Sequence, residues 1–231
     1  MSRARSAASI PDLAADRARA LALTPVSRET AERLDRFVEL LLRWQRTTNL
    51  IASSTTSRLW TRHISDSLQL LDLAPLARAW VDLGSGGGFP GLVIACALAG
   101  KPGALVHLIE SNTKKAAFLR EAQRVTKAPV AVHAKRIEDF AATFRGRADV
   151  VTARAVAPLK LLADQCFPLL GKTGATALLP KGQNAELELR EAAESWTARS
   201  WNMNVAMVPS RTDAAARIIV IRDLARGSIK P

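Results

Sequence analysis

Between residues 29 and 46 apolar residues recur every three to four positions. Leu34, Phe37, Val38, Leu41, Leu42 and Trp44 fall on one face of an amphipathic helix. Thr47-Thr48-Asn49 interrupts the pattern before Leu50-Ile51. A second helix is predicted from about Thr56 to Leu73. Trp60, Ile64, Leu68 and Leu71 form its apolar stripe, Arg62, His63 and Asp66 fall on its polar side, and Pro75 stops it. From Trp80 the period changes. Short apolar runs at 79–83, 104–109, 129–133, 148–153 and 175–180 alternate with helical patterns at 90–99, 112–126, 137–142, 158–170 and 185–198. Such alternation predicts a doubly wound parallel sheet with crossover helices. Met203–Pro209 and Ile218–Arg222 then read as a closing antiparallel hairpin. The expected fold class is α/β, a Rossmann-like seven-stranded sheet behind an N-terminal helical extension. The expected divisions are a basic, flexible arm over 1–28, the helical extension over 29–75 and the sheet domain over 76–231.

Composition narrows the partners. Among 231 residues, 33 Lys and Arg face 21 Asp and Glu, a formal charge of +12. Such a surplus favours and steers encounters with polyanions. A hydrophobic content of 48% supports a substantial core, while the longest apolar run, around Leu92 to Ala99, is far too short to span a membrane. The Ala-, Arg- and Ser-rich start resembles a transit peptide, but Asp12 and Asp16 and the lack of an apolar cleavage region argue against one. A cytoplasmic protein is expected, and nothing demands a dimer. Cys96 and Cys166 sit in apolar helical patterns without metal-ligand spacing, so they read as core thiols and no metal site is expected.

The most chemically pointed segment is Asp82-Leu83-Gly84-Ser85-Gly86-Gly87-Gly88-Phe89-Pro90-Gly91, between the first strand of the sheet and an apolar helix. Gly86, Gly88 and Gly91 satisfy the dinucleotide fingerprint G-x-G-x-x-G, while Asp82, Gly84, Gly86 and Gly88 satisfy the D-x-G-x-G-x-G loop of S-adenosylmethionine enzymes. A carboxylate at Asp82 suits a cationic amino or sulfonium group and would repel a pyrophosphate. Glu110 ends the second strand, where a carboxylate can accept both ribose hydroxyls; dehydrogenases place one there too. The sheet consumes the whole C-terminal part and leaves no separate substrate domain. Methyl transfer is the better reading, ahead of a nicotinamide oxidoreductase or a non-catalytic RNA-binding protein.

Six segments in register then carry a resemblance. They are Trp44…Thr48-Asn49-Leu50, Arg62-His63-Ile64-Ser65-Asp66-Ser67-Leu68, the glycine loop, Arg136-Ile137-Glu138-Asp139-Phe140, Thr152-Ala153-Arg154-Ala155-Val156-Ala157-Pro158-Leu159 and Pro180-Lys181-Gly182-Gln183. From about residue 30 onward the chain resembles the bacterial 16S ribosomal RNA guanine-N7 methyltransferase family, also called glucose-inhibited division protein B. The resemblance implies a class I methyltransferase fold, S-adenosyl-L-methionine as cofactor, and 7-methylguanosine in the 16S rRNA of the small ribosomal subunit as product. It also implies cofactor contacts at Gly84, Phe89, Ile137, Glu138 and Arg154, and a target-base contact at Asn49.

Guanine N7 carries a free lone pair, so its in-line attack on a methyl group needs no general base. Alignment alone can contribute ~7–11 kcal/mol. On this reading His63 organises Asp66 by a hydrogen bond rather than accepting a proton, and Asp66 faces the charge that develops on the base. Arg154, at the end of the fourth strand, can fork onto a carboxylate or phosphate. Lys181, after the fifth strand, reads either as an RNA-phosphate contact or as a solvated loop lysine. Arg62, Arg154, Lys181 and the basic arm are expected to form one continuous positive surface around the cofactor mouth.

Overall fold

The computed structural model describes residues 10–198 and 201–226. Residues 1–9 of the expected arm and 227–231 of the expected sheet domain lie outside the described residues.

The chain begins with helix α1 (Ile10–Leu23), which is docked rather than free. Its Asp16 is fully buried, and the carboxylate accepts from the Trp60 N–H at 2.8 Å, the Thr61 N–H at 3.2 Å and the Thr61 hydroxyl at 2.7 Å. Arg17 pairs with Asp35 at 2.7 Å and lies over the Trp60 ring. The expectation of a flexible arm over 1–28 is therefore corrected across Ile10–Leu23. A carboxylate that would be expensive to bury unpaired is satisfied by three donors from a distant segment.

Helix α2 (Arg28–Gln45) starts where Ser27 accepts from the Thr30 N–H, and it buries Leu34, Phe37, Val38, Leu40 and Leu41. After it, the Gln45 side chain accepts from the Leu50 and Ile51 N–H groups and donates to the Ile51 carbonyl. The long helix expected from Thr56 to Leu73 is instead broken. Ser53–Arg58 forms a 3-10 turn, Trp60–Ser65 a wide π-helical turn, and α3 (Asp66–Leu68) and α4 (Leu70–Leu73) follow. Asp16 supplies the physical reason, because its carboxylate caps the N–H groups of Trp60 and Thr61 and starts a new turn there. Nor is the predicted polar side of this segment open to water: His63 and Asp66 are each 8% exposed.

The sheet domain alternates as the pattern predicts. Its first half comprises β1 (Ala79–Leu83), α5 (Gly91–Leu98), β2 (Leu105–Ile109), α6 (Thr113–Thr126), β3 (Val130–His133) and α7 (Ile137–Thr143). The second half comprises β4 (Val150–Ala153), α8 (Leu159–Thr173), β5 (Thr176–Lys181), α9 (Ala185–Ala198), β6 (Trp201–Pro209) and β7 (Arg217–Arg226). Seven strands lie in the order β3-β2-β1-β4-β5-β7-β6. The first five run parallel, and β7 inserts antiparallel between β5 and β6 to close the sheet. One face packs on α2, α5 and α6 around Phe37, Trp80, Leu92 and Phe118; the other packs on α7, α8 and α9 around Val81, Phe140, Phe167 and Trp196. The two cysteines are buried thiols, pushed up to about 12 by burial. Strand order reverses between β1 and β4, and there the carboxyl ends of the strands open a crevice.

Candidate functional site

The crevice is a cavity of about 820 Å³, within the size range of small-molecule sites. Its floor is the glycine loop after β1. Gly86 has a positive φ of 52°, and an added Cβ would meet nothing closer than the Gly84 carbonyl oxygen at 3.8 Å, so the bare backbone fronts open space. The Gly86 N–H donates to Glu110 Oε2 at 2.9 Å, and the Asn112 N–H donates to Glu110 Oε1 at 2.7 Å. These bonds hold the carboxylate at the end of β2 in one orientation. Each oxygen keeps a lone pair for a further donor, which is the requirement for gripping a vicinal diol.

Gly84, Gly86, Phe89, Glu110, Ile137 and Arg154 all line the cavity, as do Arg62, His63, Asp66 and Lys181. Four expected contacts do not. Gly88 turns towards the core, where a Cβ would meet Leu92 and Phe37 at 3.1 and 3.2 Å. Glu138 is exposed on the outer side of α7, although its neighbour Ile137 lines the wall. Asn49 is exposed, and the cavity wall begins one residue later at Leu50. Asp82 lies beneath the loop, fully buried, with Oδ2 accepting from the Gly91 N–H at 3.1 Å and Oδ1 without a partner. Gly91 is required for that approach, since a Cβ there would stand 2.6 Å from the Asp82 carboxylate. Burial raises the Asp82 carboxyl to about 7, against the pull of Ser85, the Gly91 N–H and Arg154. Asp82 therefore braces the loop from below, outside the lining of the cavity.

Opposite the loop stands an ordered chain of side chains. Arg154, from the end of β4, places Nη2 2.6 Å from His63 Nδ1 and donates from Nη1 to the Arg62 carbonyl at 3.1 Å. Asp66 Oδ2 lies 3.5 Å from Arg154 Nη1. A guanidinium only donates, so His63 Nδ1 must accept and the imidazole proton must sit on Nε2. His63 Nε2 then donates to the Thr55 hydroxyl at 2.8 Å, and that hydroxyl donates to the Ala52 carbonyl. Burial, with Arg154 and Arg62 adding repulsion, lowers the imidazole to about 3. The expected His63–Asp66 hydrogen bond is not made, and the ring partners of His63 are Arg154 and Thr55. The Phe89 ring completes the group, 4.8 Å from the His63 ring centroid, with the Arg154 guanidinium 5.3 Å from its centre.

Asp66 is held from the other side by a loop that no sequence motif signals. Its Oδ1 accepts from the Gln69 amide at 2.9 Å and the Thr212 hydroxyl at 2.8 Å. Residues 210–216, between β6 and β7, clasp the helical extension further. The Arg211 N–H donates to Gln69 Oε1, Arg211 pairs with Asp72 at 2.6 Å, and Arg62 pairs with Asp213 at 2.8 Å. Lys181 is likewise occupied, donating to the Ala157 carbonyl at 2.8 Å and to Glu188 Oε2 at 2.9 Å. Arg62, Arg154 and Lys181 are thus each matched by a carboxylate, and the continuous positive surface expected of them is not formed. The sequence reading missed Thr55, Gln69, Thr212 and Asp213; Thr212 and Asp213 have as local signal only the short run Ser210-Arg211-Thr212-Asp213 after a strand, and Thr55 and Gln69 have none.

The sheet order, the closing hairpin and a crevice framed by a glycine loop and an acidic strand end define a class I, Rossmann-like methyltransferase architecture. Solved structures of that class superimpose over most of the chain. An O-methyltransferase from Bacillus cereus, solved in complex with SAH, gives a TM-score of 0.59 at 14% identity over 93% of this chain and all of its own. The O-methyltransferase TomG from Streptomyces achromogenes, solved in complex with SAM, gives 0.56 at 16% identity over 90% and 96%. At the sequence level, residues 30–218 match the family model of rRNA small subunit methyltransferase G. A Ribosomal RNA small subunit methyltransferase G from Bradyrhizobium sp. (strain ORS 278) is 56% identical over 223 residues, 96% of this chain and 98% of the relative. Its counterpart from Nitrobacter hamburgensis is 54% identical over all 231 residues and 86% of its own length. The chain belongs to the rRNA small subunit methyltransferase G family.

Proposed function

We propose that this protein methylates small-subunit (16S) ribosomal RNA from S-adenosylmethionine, forming 7-methylguanosine at one guanine. Family membership supports the coarser part, methylation of ribosomal RNA. The residues of the cleft fit the cofactor: an open glycine wall at Gly86 and a carboxylate at Glu110 with spare lone pairs suit a nucleoside, and the 820 Å³ volume leaves room for a second planar group. When bound, the cofactor supplies an electrophilic methyl group on a sulfonium.

The observation that carries the choice of N7 is the state of His63. A nucleophile that must lose a proton needs a base, and the imidazole closest to the cleft has its basic nitrogen filled by Arg154 and a proton affinity too low to serve. The Asp66 and Glu188 carboxylates are held by cations and hydroxyl, amide or backbone donors. Guanine N7 asks for none of this. In this reading Phe89, His63 and Arg154 orient the reacting partners, Glu110 anchors the ribose, and Asp66 balances the charge that the base acquires.

The direct test incubates the protein with methyl-labelled S-adenosylmethionine and small ribosomal subunits lacking the modification, beside naked 16S RNA, and maps the labelled nucleoside. Label in 7-methylguanosine at one position is expected. Label in another nucleoside, or none despite cofactor binding, would refute the assignment.

A further inference from the structure

Among the described residues, the cations that line the cleft divide into paired and unpaired ones. Of the six cations lining the cavity, Arg62, Arg154 and Lys181 are neutralised in place by Asp213, Asp66 and Glu188. Lys115, Lys135 and Arg217 have no ion-pair partner among the described residues. Lys115 belongs to α6, and the remaining cations of that helix and its exit, Lys114, Arg120, Arg124 and Lys127, are exposed and equally unpaired. The one acidic residue of α6, Glu121, is turned to the Trp44 indole of α2 at 3.0 Å. Arg120, Arg124 and Lys127 stand at i, i+4 and i+7, on one stripe of the helix surface. From Lys115 at the cleft to Lys127 at the far end, this helix runs about 20 Å.

Three local features of this helix oppose its own stability. Lys114 and Lys115 occupy the first turn, where the positive end of the helix dipole disfavours cations and no acidic residue is present. Arg120 and Arg124 are a like-charged pair at i,i+4, which weakens a helix. Lys127 caps the C-terminus in the left-handed conformation, φ 55°, where glycine or asparagine would be less strained. The C-terminal dipole favours Arg124 and Lys127, but it explains neither the N-terminal lysines nor the choice of lysine at a left-handed position. A polyanion lying along the helix accounts for all three.

We infer that the exposed stripe of α6, Arg120, Arg124 and Lys127, on the helix whose first turn brings Lys115 to the cleft, is the track on which the RNA backbone lies as it leaves the cleft. The inference rests on the RNA substrate proposed above. It places the electrostatic grip on a helix, while the paired cations of the cleft serve orientation.

The test combines Arg120→Gln, Arg124→Gln and Lys127→Gly in one variant and measures affinity for naked 16S RNA across a salt series. Cofactor titration and thermal melting are recorded alongside. Each lost phosphate contact reduces the slope of log K against log salt by about 0.7–0.9, so the triple variant is expected to lose about 2–3 and to bind at least about tenfold more weakly at 0.1 M salt. Cofactor affinity is expected to stay unchanged. If the triple variant melts early, Lys127→Gly alone, which relaxes the backbone, is expected to lower the slope by about 1. A wild-type protein that methylates RNA, with a variant of equal slope and affinity, overturns the track. A wild-type protein that binds RNA through the stripe but transfers no methyl group overturns the proposed reaction and leaves the track standing.

Discussion

His63 stands between a cation and a hydroxyl, and those two neighbours set its protonation and its tautomer. An imidazole receiving a guanidinium N–H holds the Arg154 fork in place as an acceptor, a role that needs the neutral ring. His63→Ala is expected to lower kcat/KM on the order of 10- to 100-fold by loosening Arg154. The shape of the pH–rate profile should remain that of the wild type; loss of an acidic limb in the variant would restore His63 as a base. Asp82 makes the opposite case. Its carboxyl rises from 3.8 to about 7 in the fold, so between those values the folded state holds a proton that the unfolded chain releases. That stabilisation is lost as pH rises through the window. Asp82→Asn, which keeps the size and an acceptor for the Gly91 N–H, should therefore gain melting temperature relative to wild type between pH 5 and pH 8. An equal difference at both pH values would show that the carboxyl is not raised. Asp82 was legible as a motif residue but its position was not, because a sequence does not reveal that Gly91 admits the carboxylate beneath the loop.

At the scale of elements, most of the sheet and helix α2 were legible, and the rest of the helical extension was not. Crossover helices and strands announce themselves through local period, and the hairpin of β6 and β7 through two short apolar runs. Helix α1 is ordered by Asp16, a residue that reads as surface until the donors of Trp60 and Thr61 are brought 44 and 45 positions along the chain to meet it. The same bonds break the helix that apolar spacing alone would continue. Asp16→Ala strands three buried donors, and a loss of about 2–4 kcal/mol is expected. Melting should fall by several degrees; an unchanged transition would mean that α1 is not docked in solution. The loop of residues 210–216 was invisible for the same reason, its partners lying about 140 positions away in sequence.

Across the whole molecule, the +12 charge was legible as a preference for polyanions, but its distribution was not. Carboxylates from the β6–β7 loop, α3 and α9 pair with Arg62, Arg154 and Lys181 of the cleft, while the cations of α6 stay unpaired among the described residues. One buried histidine, one half-buried histidine and one buried aspartate also shape stability as a whole. His63 and His107, lowered to about 3 and about 4, refuse protons that the unfolded chain takes up below pH 6.5, so their contribution is lost as pH falls through that range. Asp82 acts in the reverse sense up to about pH 7. Melting temperature is expected to climb from pH 4.5 to about 6.5, with two groups against one, and to flatten or decline slightly towards neutrality. Calorimetry across that range checks the balance, and a steady fall with rising pH would contradict it.

In the proposed reaction the site aligns a nucleophile already carrying its lone pair and does not create one by removing a proton. Single-turnover methyl transfer to 16S RNA at saturating cofactor, followed from pH 5.5 to 8, tests it most directly. A rate that stays level across the range, with 7-methylguanosine as product, is the predicted result. A rate falling about tenfold per unit below pH 6.5 would reveal a base that must be free of its proton, and would contradict the account.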